Sequence, residues 1–343
     1  MHGNITTHSA VNPNFWNLAE RAGGPSAGGR SARAGGARIL QARPRKAGFE
    51  PWQGAVAGRL IPPVMLAQRR LGRTEASVSL IGLGGNGIMR THGMAHEARR
   101  IVHRAIDLGI NYFDAARVYK DCEGYLGGAL RGKREQVFLA SKSAQRSRDG
   151  ARADLDETLR ALRTDRLDLW EIHDLRTLEE LDQITAPDGA LAAFDEARRA
   201  GKVRFIGITA HHDPLVLHRA LSQFQYDTCM VPVNLAEPHY RPFLDIVLPV
   251  GREGDVGLIG MKALCGGLIG SPEYPIMYAL SQPVSTLLLG VNDLEQLEEN
   301  VKIAARFERL SEEDVAELLE ASRPHAMRLL YYKKKQEFVF SLN

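Results

Sequence analysis

The chain alternates between short apolar runs and longer segments whose apolar residues recur at helical spacing. Eight runs have the length and composition of buried strands; they are Leu80–Leu83, Ile110–Phe113, Val137–Ala140, Leu167–Ile172, Val203–Ile208, Thr228–Val233, Val256–Met261 and Ser285–Leu289. The segments between them predict amphipathic helices, among them His96–Leu108, Asp149–Leu162, Ala190–Ala200, Pro214–Ser222, Tyr240–Val250, Tyr274–Ser281 and Asp293–Phe307. A regular strand–helix alternation is typical of α/β proteins with a parallel sheet.

Eight strand–helix units favour a closed (β/α)8 barrel, the TIM barrel, over an open doubly wound sheet, which more often has about six strands. Before the first unit, Arg69 to Ser79 has the alternation and turn residues of a β-hairpin, which we expect to close the bottom of the barrel. We therefore assign residues 65–343 to one barrel domain with a C-terminal helix from Ser311 and a tail. We expect the Lys333–Lys335 run in that tail to be a solvated charged face.

Residues 1–64 lack helical or strand periodicity and are rich in Gly, Arg, Ala and Ser. Such a composition predicts a disordered tail, or a non-native extension translated from upstream of a start at Met65. A transit peptide is the alternative, because the segment is rich in Arg and poor in acids, although it lacks an organised amphipathic helix.

Composition limits the cellular compartments and the classes of binding partner that we expect. No apolar run has the length of a membrane span, and the three cysteines are too scattered for a disulfide framework or a paired metal motif, so we expect a cytoplasmic protein with no metal. The net charge of +3 is uneven, since residues 1–64 carry eight basic and two acidic residues. The rest is mildly acidic, which gives no electrostatic reason to expect a nucleic-acid partner.

A glycine run after the first strand, Gly82 to Gly87, satisfies the G-x-G-x-x-G pattern of dinucleotide-binding Rossmann folds. Asp114, at the end of the next strand, occupies the position of the ribose-binding acid. That fingerprint requires a helix to begin at the third glycine, yet residues 88–93 separate Gly87 from a helix start near His96. The run therefore indicates a barrel loop that lies close to a ligand, and the Rossmann fold remains a minor alternative.

Polar side chains follow the second, third and fourth predicted strands. Asp114 ends the second strand, Tyr119 follows on a turn, Lys142 ends the third strand and His173 ends the fourth. The carboxyl ends of parallel barrel strands form one face, where TIM-barrel enzymes place their catalytic residues. We therefore expect these four side chains to lie together.

Their chemistry is that of a general acid and its supports. A tyrosine titrates near 10, and a nearby ammonium held by a carboxylate is expected to lower that pKa. A histidine can orient a carbonyl. The set fits protonation of a carbonyl oxygen as hydride arrives from a cofactor. It does not fit nucleophilic hydrolysis, since no serine or cysteine faces a base, or a metal site, since His173, His211 and His212 lack ligand spacing.

From about Arg70 to Leu310 the chain resembles the aldo-keto reductases, in their bacterial and archaeal branch. The matching motifs are Asp114 and Tyr119 five residues apart, Cys122-Glu123, Leu126-Gly127, Lys142, the segment that ends at His173, Gly201–Gly207 and Glu299-Asn300-Val301. The resemblance implies a TIM barrel, an NADP(H) or NAD(H) cofactor across its carboxyl face, and reduction of a small aldehyde or ketone. It makes Tyr119 the proton donor, Lys142 and Asp114 its supports, and His173 the residue that positions substrate.

The resemblance also implies a set of cofactor-binding positions: Gly84, Gly85, Asn86, Asp114, Thr209, Ala210, Asn234, Met261, Lys262, Leu264, Gly266, Gly290, Gln296, Glu299 and Asn300. Some depart from the family pattern. Thr209-Ala210 replace a common Ser-Asn, and Met261 stands where many members stack a tyrosine on the nicotinamide. Gly290 and Gln296 align with the Lys and Arg that hold a 2′-phosphate, so NADH is as plausible as NADPH.

The alternative within the same family is a regulatory protein that keeps the barrel and the cofactor without turnover. Completeness of the four-residue set argues against it. The expected partners are a small carbonyl substrate, with no nucleic acid and no membrane, and the expected state is a monomer or a weak homo-oligomer. Tails such as the one after Ser311 can edge the substrate pocket in this family.

Overall fold

The computed structural model describes residues 66–333, so the predictions for residues 1–64 and for Lys334 and Lys335 lie outside the described part. Within it, ten strands are present: β1 Gln68–Arg70, β2 Ser77–Ser79, β3 Ile81–Gly87, β4 Tyr112–Asp114, β5 Phe138–Ser143, β6 Leu167–Ile172, β7 Val203–Thr209, β8 Thr228–Pro232, β9 Gly257–Met261 and β10 Thr286–Val291. Strands β3 to β10 form a closed barrel in chain order, β10 pairs with β3, and all neighbours are parallel. The predicted TIM barrel is confirmed.

Helices follow the strands, and all but the last two surround the barrel and pack their apolar faces on it. They are α1 Ala95–Asp107, α2 Cys122–Ala129, α3 Arg148–Leu162, α4 Leu178–Thr185, α5 Ala190–Arg199, α6 Pro214–Gln223, α7 Phe243–Glu253, α8 Glu273–Ser281, α9 Leu294–Ala305, α10 Glu312–Ser322 and α11 Ala326–Leu329. Helix α4 was not among the helices predicted from the spacing of apolar residues. None of the helices between residues 66 and 333 is long and apolar enough to cross a membrane.

The glycine run belongs to the barrel and not to a Rossmann fold. Strand β3 continues through the glycines to Gly87, and a short 3-10 turn over Ile88–Arg90 separates it from α1. No helix therefore begins at the third glycine, and the Rossmann alternative is wrong.

The predicted hairpin is confirmed and lies at the amino end of the barrel. Strands β1 and β2 pair antiparallel, and Leu71 between them is fully buried with the residues that fill the barrel interior. Gly72, at a φ of +49°, packs its Cα against the backbone of Gly257 at the start of β9, where a Cβ would collide. The apolar contacts of Leu71 and the short distance between Gly72 and Gly257 thus seal the amino end of the barrel.

The C-terminal segment packs on the loops at the carboxyl end. Helix α10 begins with a capping box between Ser311 and Asp314, which satisfies free backbone N–H groups. Its Leu318 is buried in one cluster with Leu330 and Cys265. The side chain of Lys333 is 3% exposed, so the prediction of a solvated face is wrong for this residue.

Candidate active site

Three neighbouring strands place the predicted catalytic side chains inside the carboxyl end of the barrel. In β4 and β5 alternate residues face the interior, which brings Asp114 and Lys142 together below the rim. The Lys142 ammonium donates hydrogen bonds to the Asp114 carboxylate and, at 2.9 Å, to the Ala115 carbonyl. His173 follows β6, and its backbone N–H donates to the Ser143 carbonyl at 2.8 Å.

Tyr119 lies on the turn after β4, against this pair. Its ring centroid is 5.7 Å from Lys142 Nζ, and the His173 ring meets it edge-on at 5.6 Å. The structure thus brings all four predicted catalytic residues together. Gly85 creates the space for the ring, since a Cβ there would approach Tyr119 Cδ2 to 2.7 Å and the Asp114 carbonyl to 2.9 Å. We expected the glycine run to make room for a ligand, but the space at Gly85 is filled by Tyr119.

Burial has the largest effect on the pKa values of Tyr119 and His173. It raises the pKa of Tyr119 to about 12, although the nearby Lys142 ammonium acts in the opposite direction. The predicted effect of the ammonium is therefore present, but burial outweighs it, and the expected net lowering of the tyrosine pKa is wrong. Burial, reinforced by Lys142, lowers the pKa of His173 to about 3. At neutral pH Tyr119 thus holds its proton and His173 is uncharged.

Two charged residues at the site were missed by sequence reasoning. The Arg90 guanidinium lies 4.9 Å from the Tyr119 ring centroid, and no local motif marks it. Glu171 Oε2 lies 3.5 Å from Lys142 Nζ and is fully buried. Burial alone would lower the pKa of Lys142, but the Asp114 and Glu171 carboxylates raise it. A signal for Glu171 existed, because it is an acid in an apolar run, two residues before His173 and on the same face of the strand.

The predicted cofactor-binding residues divide by exposure. Those exposed around the carboxyl end are Asn86, Gly266, Gly290, Gln296 and Glu299, and the partly exposed ones are Lys262 and Leu264. The buried ones are Gly84, Gly85, Asp114, Thr209, Ala210, Asn234, Met261 and Asn300.

Besides Asp114, two of the buried residues already use their side chains within the protein. Thr209 Oγ1 accepts a hydrogen bond of 2.8 Å from the backbone N–H of Asp174. The Asn234 amide donates to the Tyr332 hydroxyl at 2.9 Å, and its oxygen accepts from the Ala236 backbone at 3.0 Å. Their roles toward a cofactor remain predictions.

Lys262 presents a cation at the same end of the barrel. Its backbone has a φ of +62°, and its ammonium lies 5.1 Å and 5.8 Å from the ring centroids of Tyr332 and Tyr331. No carboxylate of residues 66–333 lies within ion-pair distance of it. Burial lowers its pKa. Lys262 is therefore available to an anionic group of a ligand.

Beside His173, a pair of histidines faces one carboxylate. His212 Nε2 lies 3.4 Å and His211 Nε2 3.8 Å from Asp174 Oδ1. Burial would raise the pKa of Asp174, but the contacts with His212, His211 and Arg176 hold it well below its usual range. In the part of the chain that the structure describes, no three His, Cys, Asp or Glu side chains are grouped to hold a metal ion.

Known proteins share this architecture. The model of the aldo/keto reductase family matches residues 80–276. Among curated proteins, the uncharacterized oxidoreductase YqkF of Bacillus subtilis is 24% identical over 74% of this chain and 95% of its own. L-galactose dehydrogenase of Arabidopsis thaliana is 28% identical over 71% of this chain and 89% of its own.

Among solved structures, an aldo-keto reductase from Klebsiella pneumoniae in complex with NADPH superposes with a TM-score of 0.62. The superposition covers 81% of this chain and all of that one, at 19% identity, so it supports a shared fold. The family match covers more than half of the sequence and includes Asp114, Tyr119, Lys142 and His173. The chain belongs to the aldo/keto reductase family of oxidoreductases.

Proposed function

We propose that this protein is an NAD(P)H-dependent oxidoreductase that reduces the carbonyl group of a small aldehyde or ketone, with Tyr119 as the general acid. The observation that carries the proposal is the buried Lys142–Asp114 pair beside the Tyr119 ring, with His173 at the edge of that ring. Family membership supports the same chemistry.

The four side chains divide the work of proton transfer. When bound, the nicotinamide cofactor supplies the hydride that reduces the carbonyl carbon. Tyr119 gives its phenol proton to the carbonyl oxygen, and the Lys142 ammonium stabilises the phenolate that remains. Asp114 holds Lys142 in place through their hydrogen bond. His173, uncharged at neutral pH, positions the carbonyl by a hydrogen bond.

The carboxyl end of the barrel also fits a phosphate-bearing cofactor. Lys262 offers an ammonium that has no carboxylate partner among residues 66–333, which suits a phosphate oxygen. Gly290 and Gln296, however, supply no cation for a 2′-phosphate. A side chain at Gly290 would also strike Asn86, whose Cβ would lie 2.8 Å from the added Cβ. We therefore propose that NADH is accepted as well as NADPH.

The test is the Tyr119→Phe variant, which removes the phenol proton and little else. Oxidation of NADH or NADPH is followed with a panel of small aldehydes and ketones. We expect turnover to fall by about 10² to 10⁴, the usual contribution of a general acid. Cofactor binding, measured by fluorescence titration, should change little.

Tyr125→Phe is the matched control. Tyr125 lies on α2, where its hydroxyl contacts the Met94 backbone at 3.0 Å and not the proposed reaction site. This variant should keep its turnover within a few-fold of the parent. Parental rates for Tyr119→Phe on every carbonyl of the panel would overturn the proposal.

A further inference from the structure

Glu171 is a buried carboxylate in direct reach of the proposed catalytic lysine. It lies on β6, opposite Lys142 in the strand register, and faces the barrel interior. Its Oε2 atom is 3.5 Å from Lys142 Nζ. Among residues 66–333, the Lys142 ammonium is the ionic contact of this carboxyl group, neither of its oxygens accepts a hydrogen bond, and the side chain is fully buried. A buried polar group without hydrogen bonds is costly, so its presence calls for a reason other than stability.

The neighbouring strands make room for this carboxyl group. On β7, a Cβ at Gly207 would lie 2.9 Å from Glu171 Cγ and 3.2 Å from its Oε1, and would also strike Thr228 Oγ1. Glycine at position 207 thus leaves the space that the acid occupies. Within the described part of the chain, the Thr228 hydroxyl and the Tyr112 hydroxyl are likewise buried without a hydrogen-bond partner. The interior below Lys142 is therefore a polar chamber, and Glu171 is an ionisable member of it.

Few titratable groups face Glu171, and one of them is a cation. Lys142 and Asp114 approach from β5 and β4, and Tyr112 also from β4, whereas the Cys229 thiol of β8 lies on the outer side of the barrel wall. One ammonium is thus shared by two carboxylates. If Glu171 loses its proton, the added negative charge offsets the field of Lys142, so that a phenolate at Tyr119 is stabilised less.

We propose that Glu171 is a positioning residue for the proton-transfer step, which acts through Lys142 and sets how strongly that ammonium stabilises the Tyr119 phenolate. The inference rests on the proposed function of Tyr119 and adds a residue to it. When Glu171 is neutral, the Lys142 ammonium interacts mainly with Asp114 and Tyr119. When Glu171 is ionised, its carboxylate also attracts that ammonium and weakens the interaction with Tyr119. Reduction should therefore slow when Glu171 ionises.

The pH range follows from the environment of the acid. Burial raises the pKa of Glu171 to about 8, against the opposing effect of Lys142. The neutral form is present below that pH and the carboxylate above it. A loss of activity on the basic side should thus begin near pH 8, well below the pKa of Tyr119.

The experiment compares the pH profile of kcat for the parent and for Glu171→Gln, which keeps the shape and cannot ionise. For the parent we expect kcat to fall by several-fold or more as the pH rises through about 8. The variant should lack this fall. Glu123→Gln is the control, because Glu123 is also buried but its partners are Arg117, Ser141 and Thr158 instead of Lys142, and it should keep the parental pH profile. A parental fall in Glu171→Gln, or no fall in the parent, would overturn the proposal.

A second measurement does not depend on activity. In the full chain labelled with carboxyl-¹³C glutamate, a resonance that is lost in Glu171→Gln should titrate near pH 8, whereas an ordinary glutamate titrates at about 4.3. Its absence would overturn the role of Glu171. If that resonance is present but no carbonyl is reduced, the failure belongs to the proposed function alone.

Discussion

The Lys333 ammonium donates a 2.7 Å hydrogen bond to the Glu237 carboxylate, and both side chains are almost fully buried. The Tyr332 hydroxyl donates to the same carboxylate at 2.6 Å and accepts from the Asn234 amide. These bonds join the C-terminal segment to the loop after β8. They fix Tyr332 near the Lys262 ammonium at the carboxyl end of the barrel.

Breaking this pair on one side should destabilise the protein. Lys333→Met removes the ammonium and leaves Glu237 buried and unpaired, which costs about 3 to 5 kcal/mol in comparable cases. We expect a lower free energy of unfolding by about that amount, measured by urea denaturation. The double variant Lys333→Met, Glu237→Gln should recover part of the loss, because it leaves no buried charge.

Lys302→Met controls for the loss of a lysine as such. Lys302 is exposed on α9, and such surface changes usually alter stability by less than about 0.5 kcal/mol. Equal stability of Lys333→Met and Lys302→Met would show that the buried pair contributes nothing to the fold.

A methyl group at Gly85 should displace Tyr119. The added Cβ of Gly85→Ala would lie 2.7 Å from Tyr119 Cδ2 and 2.9 Å from the Asp114 carbonyl, and the backbone atom cannot move aside easily. A misplacement of about 1 Å can cost about 10² in rate. We expect kcat to fall by roughly tenfold to a hundredfold, in the carbonyl-reduction assay.

Gly128→Ala makes the same chemical change on α2, away from Tyr119. Nothing in the described part of the chain lies within 4 Å of the added Cβ there. This variant should fold and turn over like the parent. If both substitutions lowered kcat equally, the contact with Tyr119 would not be the cause.

A cation at position 296 should shift the choice of cofactor toward NADPH. Gln296 is exposed near the start of α9, where its Oε1 accepts a 2.9 Å bond from the Asn292 backbone. In Gln296→Arg a guanidinium can bond the 2′-phosphate, and charge-assisted bonds contribute about 1.5 to 3 kcal/mol. We expect the ratio of kcat/KM for NADPH over NADH to rise by about tenfold or more.

Glu295→Gln changes the charge of the same helix end by one unit without adding a guanidinium. It should shift the cofactor ratio by much less than Gln296→Arg does. An unchanged ratio in Gln296→Arg would place the 2′-position of the cofactor elsewhere.

The sequence by itself determined the barrel and the four residues of the candidate site. The alternation of strand-length apolar runs with segments of helical periodicity is visible in the local sequence. Eight such strand–helix repeats are compatible with few folds. Because parallel strands end at one face, the positions of Asp114, Lys142 and His173 at strand ends were enough to group them with Tyr119. The strand Leu167–Ile172 was predicted with the boundaries observed.

Tertiary structure alone decided what depends on burial and on contacts distant in sequence. Lys333 was predicted to be solvated because the sequence around it shows only a run of like charges. Its partner Glu237 lies 96 residues away, so only the tertiary structure reveals the buried pair. The pKa of Tyr119 was expected to fall because the ammonium was visible in the pattern, but the loss of water around the ring, which raises that pKa, is a property of the packed barrel. Arg90 lies near Tyr119 because of the way the chain folds after β3, and no residue spacing in the sequence indicates this contact.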